Sequence, residues 1–189
     1  MSSSYKVKKL RKAKRKRIRK IKLPFKLVDP KYRVGFHEVA HAVIIKSFYP
    51  QNRVYLSISK RDGIWVGCTA EPDVRGQTRD WHPHALISIA GAIAETYYTQ
   101  NQLSNSYRVL KEKTEFMDDY QSFGIAFVNY KKTLHNFSEE RELSQSELFK
   151  KCYFEVLNIF RKNGIVKMHK VAQKLVHDLC IDDEKIWMR

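Results

Sequence analysis

The rhythm of apolar and polar positions changes several times along the chain. Between Lys31 and Pro50 the residues Val34, Val39, Ala42, Val43 and Ile45 sit among helix-compatible neighbours. Asp29-Pro30 gives a start signal, so a helix is predicted that ends near Pro50. "RVYLSIS", Arg53 to Ser59, then alternates, with Val54, Leu56 and Ile58 facing one way; Arg61–Gly63 reads as a turn and "IWVGCTA" returns. That is a β-hairpin signal. "EPDVRGQTRD" reads as a loop, and "WHPHALISIAGAIAETYYT" as a second helix of mostly small and apolar residues, expected to be buried. Polar residues 101–113 predict a loop, and a third helix is expected from about Glu115 to Leu134.

"FSEERELSQSELFKKCYFEVLNIFRKNG" opens with a Ser/Glu-rich cap region and continues as a long amphipathic helix. Leu148, Cys152, Val156, Ile159 and Phe160 line one of its faces, and Gly164 is a C-cap candidate. "IVKMHKVAQKLVHDLCI" predicts a last helix carrying Val166, Val171, Leu175, Val176 and Leu179. No internal repeat is visible. The expected architecture is mainly α with a small β-hairpin or sheet.

Charge changes the picture at one end. The 189 residues carry a formal charge of +16, but residues 1–26 hold thirteen Lys or Arg and no acid, leaving 23 bases against 20 acids elsewhere. The basicity belongs to a tail, and residues 27–189 are expected to form one domain. Alone, the tail cannot bury apolar surface and is expected to be disordered. Its Lys8, Lys9, Arg11, Lys12, Lys14, Arg15, Lys16, Arg17, Arg19 and Lys20 suit DNA, RNA or another polyanion, including an anionic membrane surface. Cys68, Cys152 and Cys180 lack CxxC spacing and are read as reduced thiols. No apolar run is long enough for a membrane span, and no apolar stretch of secretory type follows the basic start. A cytoplasmic protein, with nucleoid or nuclear association open, is the expectation.

The chemistry is concentrated in "RVGFHEVAHAVII", Arg33 to Ile45. His37 and His41 are four residues apart on the predicted helix, so both imidazoles leave the same face. Glu38 lies about 100° around from His37, beside a shared ion but not bonded to it, where it can take and return a proton. HExxH on a helix is the zincin signature, and zinc lowers the pKa of a bound water to about 7. A catalytic zinc needs a third protein ligand. Position 47 is Ser47, so the ligand must come from elsewhere: Glu95, Asp118 and Asp119 are the candidates.

"HEVAHAVI" resembles the "HEAGHA" element of the FtsH-family zinc peptidases. The resemblance continues in order through "GCTAEP", "TRDWHPHALISIAGAIAE" and "EFMDDYQSFGIAF", and the last two helices resemble that family's closing pair, covering about residues 30–185. It implies an FtsH-peptidase-like helical domain with a zincin-like HExxH helix. It also implies Zn²⁺ bound by His37, His41 and an Asp from the "EFMDDYQSFGIAF" helix. Family spacing of apolar residues after that Asp selects Asp119, because Tyr120, Phe123, Ala126, Phe127 and Tyr130 then fall on the buried face; Asp118 would face solvent or bond near the site. Glu95 is expected to orient a ligand histidine. Ala40 departs from the family's usual glycine, and no GxxxxGK[ST] motif accompanies the domain.

The expected activity is therefore an ATP-independent zinc metalloendopeptidase that cuts unfolded or flexible protein segments, with Glu38 as proton shuttle. The hairpin strand "IWVGCTA" is expected to pair with substrate as an added strand. The rival from another class is a catalytically inactive zinc-fold binding protein acting through its basic tail. A protease held on DNA or RNA by that tail merges the two. Oligomeric state stays open.

Overall fold

The computed structural model describes residues 29–71, 80–99, 103–112, 117–134 and 143–182. The basic tail, the start of the predicted third helix and the Ser/Glu-rich cap region at 137–142 lie outside them. The described residues form six helices and three strands: α1 (Pro30–Phe48), β1 (Tyr55–Arg61), β2 (Ile64–Ala70), α2 (Trp81–Thr99), α3 (Leu103–Glu112), α4 (Met117–Thr133), α5 (Gln145–Asn163), α6 (Ile165–Asp178) and β3 (Cys180–Asp182). A mainly helical fold with a small antiparallel sheet is what the pattern predicted.

Helix α1 is the hub. It starts because the Asp29 side chain caps it, accepting from the Lys31 N–H at 2.9 Å, and because Pro30 fits the first turn. From Gly35 to Ile45 every residue is buried. A helix buried on all sides must be packed from all sides, and α1 meets α2, α6 and the sheet. Small residues let α2 come close, since Ala85, Ala90, Ala92 and Ala94 are fully buried. Gly35 does the same for α6: a Cβ there would stand 3.2 Å from Val176 Cγ2.

Strands β1 and β2 pair in register from Tyr55↔Ala70 to Arg61↔Ile64. The turn is the two-residue Asp62-Gly63, with φ of 49° and 83°. Positive φ at both positions is the primed turn that matches strand twist, and Asp-Gly is its favoured dipeptide. Leu56 and Ile58 are buried against the helices.

Two expectations need correction. Residues 103–112, read as loop, form helix α3, with Leu110 fully buried and the Tyr107 ring centroid 5.1 Å from that of Phe149. The segment is polar overall, and its short apolar stripe became decisive only through the partner it meets. The last helix, expected to run to Ile181, stops at Asp178. Leu179 takes a left-handed φ of 66°, and Cys180–Asp182 adds to β1 as a third strand, giving the order β2-β1-β3. Val171 and Leu175 of α6 are buried as expected, but Val166 and Leu179 are exposed. Helix α5 carries a full capping box between Ser144 and Glu147, and Gly164 ends it with φ of 82°.

Candidate metal centre

His37 and His41 lie on α1, on the side facing α2 and α4. Each ring is oriented by its Nδ1. His41 Nδ1 is 2.7 Å from the Ile87 carbonyl of α2, and His37 Nδ1 is 3.0 Å from Glu95 Oε1, also of α2. A carbonyl oxygen and a carboxylate only accept, so both Nδ1 atoms carry the hydrogen. In the neutral rings each Nε2 is then a bare lone pair.

Those lone pairs point at each other and at a third acceptor. The two Nε2 atoms are 2.9 Å apart. Asp119 Oδ2, from the first turn of α4, stands 3.2 Å from the His37 nitrogen and 3.5 Å from the His41 nitrogen. This oxygen is buried and takes no hydrogen bond. Three buried acceptors facing one point need a positive charge between them. A single proton can bridge one pair and leaves the third atom unsatisfied. A metal ion satisfies all three, and His37, His41 and Asp119 form a group able to hold one.

The electrostatics point the same way. Burial opposes a charged imidazole at His37, yet the carboxylates of Asp119 and Glu95 outweigh it and raise its pKa well above the usual histidine value. At His41 burial is again opposed, chiefly by the Asp119 charge, and the pKa is raised. Burial pushes the Asp119 carboxyl up, but His41 and His37 hold it well below the ordinary carboxylate range. The site favours positive charge where its three donors converge.

Two glycines make room for this arrangement. A Cβ on Gly91 would overlap the His37 ring, and one on Gly67 would overlap the Glu38 carboxylate. Glu38 leaves α1 toward β2, where the Thr69 hydroxyl donates to its Oε2 at 2.6 Å. That length is typical of a hydroxyl bound to a charged carboxylate. Glu38 therefore stands beside the donor triad without joining it. A cleft of about 460 Å³ opens on the group, lined among others by His37, Glu38, His41, Cys68, His84 and Asp119.

The structure thus brings together His37, His41 and Asp119, with Glu38 and Glu95 on either side. Asp118 is exposed and lines the cleft instead. Glu95 is buried near the end of α2, not a surface acid. The sequence reading missed three contributors. Thr69 stands in the quoted "GCTAEP" but was given no role there, and the Ile87 carbonyl is a main-chain group with no sequence signal. Arg33, whose Nε is 3.3 Å from Glu95 Oε2, had a readable signal, since it sits one turn before His37 on the same helix face. Among the described residues no helix is long and apolar enough to cross a membrane. No family model matches the sequence, and no curated protein matches it.

Proposed function

We propose that the chain is a zinc metalloendopeptidase of FtsH-peptidase type, with Zn²⁺ held by His37, His41 and Asp119. One observation carries the reading: two imidazole lone pairs and an unbonded carboxylate oxygen converge at 2.9–3.5 Å, with a carboxylate that is not part of the triad beside them. Donors 2.0–2.1 Å from a tetrahedral ion stand about 3.4 Å apart, which this spacing approaches. Two nitrogens and one carboxylate oxygen suit zinc, and three protein donors leave the position a catalytic zinc keeps open. Zinc would supply an acidified water and polarise a peptide carbonyl.

The chain's own residues do the rest. Glu38, fixed by Thr69 at the cleft wall, takes a proton from the attacking water and returns it to the leaving amine. Glu95 and the Ile87 carbonyl hold the two rings so that both Nε2 atoms face the cleft. Strand β2 is an edge of the sheet beside Glu38, and an extended peptide added to it by main-chain pairing would lie along the cleft. Such pairing reads little sequence, so loose segments of many proteins are the substrate class.

Metal analysis and casein digestion test this together. The purified chain should carry close to one zinc, and His41→Ala should lose it. Glu38→Gln should keep the zinc while cleavage of unfolded casein drops at least ~100-fold. Cutting by Glu38→Gln at the parent rate would remove the mechanism. A zinc-loaded parent that never cuts would favour the second reading, a binding protein working through the thirteen bases of its tail.

A further inference from the structure

The metal reading gives Glu95 a task, and the structure contains a residue that makes that task possible. Glu95 uses its two oxygens on two different side chains of α1. Oε1 faces His37 Nδ1 at 3.0 Å, and Oε2 forms an ion pair with Arg33 Nε at 3.3 Å without the alignment of a hydrogen bond. Arg33 and His37 are one turn apart, so one helix face presents both groups to a single carboxylate from α2. Glu95 is buried, whereas the Arg33 side chain is about one-third exposed. With Oε1 on His37, a positive charge beside Oε2 favours one orientation of the carboxylate over others.

Charge makes the same demand. Glu38, Glu95 and Asp119 bring three negative charges to one small region. A divalent ion would offset two of them, and Arg33, paired with Glu95, supplies a further positive charge.

We infer that Arg33 is a positioning residue for the metal centre: its charge beside Glu95 Oε2 keeps the carboxylate turned so that Oε1 fixes the His37 ring. It acts through Glu95 and is not among the residues lining the cleft. The inference rests on His37, His41 and Asp119 binding a metal, and it goes beyond that reading by naming a residue without which the site binds weakly.

The test measures the Zn²⁺ dissociation constant by competition with a chromophoric chelator, on the full-length parent, Arg33→Met, Arg33→Lys, Glu95→Gln and the Arg33→Met/Glu95→Gln double variant. Loss of an outer partner of a metal-bound histidine weakens binding ~10–100-fold. Glu95→Gln should fall in that range, and Arg33→Met should weaken zinc about 10-fold. Arg33→Lys should recover part of the loss, because it keeps the charge and loses the planar fork. In the Glu95→Gln background Arg33→Met should cost no more than about 2-fold, since the two act as one unit.

A purely structural role would lower the melting temperature of the metal-free protein and leave zinc affinity alone; the positioning role lowers zinc affinity and the increment in melting temperature that zinc adds. Parent-like affinity in Arg33→Met, or an equal loss with and without Glu95→Gln, overturns the inference. If Arg33→Met does not fold, Arg33→Lys decides: a several-fold loss supports the inference, and parent-like affinity together with a Glu95→Gln loss overturns it. A parent chain that takes up no zinc overturns the metal reading itself, which separates the two failures.

Discussion

Gly91 shows how tightly one residue can constrain the site. The His37 ring occupies the volume that any side chain at Gly91 would need. Gly91→Ala should push the ring off its contact with Glu95 and weaken zinc binding ~10-fold or more, read by the same chelator competition. His169 carries a different constraint. It lies in the core, its ring stacked on Phe36 at a centroid distance of 4.4 Å, and its Nδ1 accepts the Tyr32 hydroxyl. Burial lowers its pKa to about 4. A histidine with a lowered folded pKa binds its proton first in the unfolded chain, near pH 6.5. Stability from this residue is therefore full above about 6.5 and is lost as pH falls toward 4. The loss reaches about 3 kcal/mol at most. Replacing it, His169→Phe, keeps the stack and removes the titration. Denaturant melts of parent and variant should diverge between pH 6.5 and 4, the parent losing stability faster. Parallel curves would show that the ring titrates normally.

Elements add what single residues cannot. Helix α3 exists because Leu110 reaches the core and Tyr107 meets Phe149. Leu110→Ala should cost ~2–5 kcal/mol in chemical denaturation, a core value. A loss below 1 kcal/mol would mean the helix is not anchored there. The sequence left this segment as loop because propensity and average polarity are weak signals over ten residues. By contrast, α1, α2 and α5 were legible as helices, because each has a long run of apolar positions. The hairpin was legible too, since Asp62-Gly63 and the alternation on both sides agree. Strand β3 was hidden behind α6. Its three residues have no pattern of their own, and they pair with β1 because Leu179 turns the chain there.

At the scale of the whole molecule, charge is divided unevenly. Residues 1–26 carry thirteen of the 36 Lys and Arg, and the rest of the chain is close to balance. Affinity for DNA or RNA should therefore come from the tail, fall steeply with salt, and vanish at moderate salt when residues 2–22 are deleted. Filter binding at several salt concentrations measures it, and unchanged binding by the deletion variant would remove the tail from the account. The sequence by itself determined that α1 would be a helix and that His37 and His41 would share its face, because the helix repeat fixes side-chain direction within one element. It also limited the third donor to a few carboxylates. The resemblance already favoured Asp119 over Asp118 and gave Glu95 the task of orienting a ring; only the tertiary structure brings the Asp119 oxygen within 3.2–3.5 Å of the two imidazole nitrogens and sets the Ile87 carbonyl on His41 and Arg33 on Glu95. Those meetings join α1, α2 and α4, and they depend on how close small residues let the helices come. That distance is set by the packing of the whole core, which no local pattern encodes.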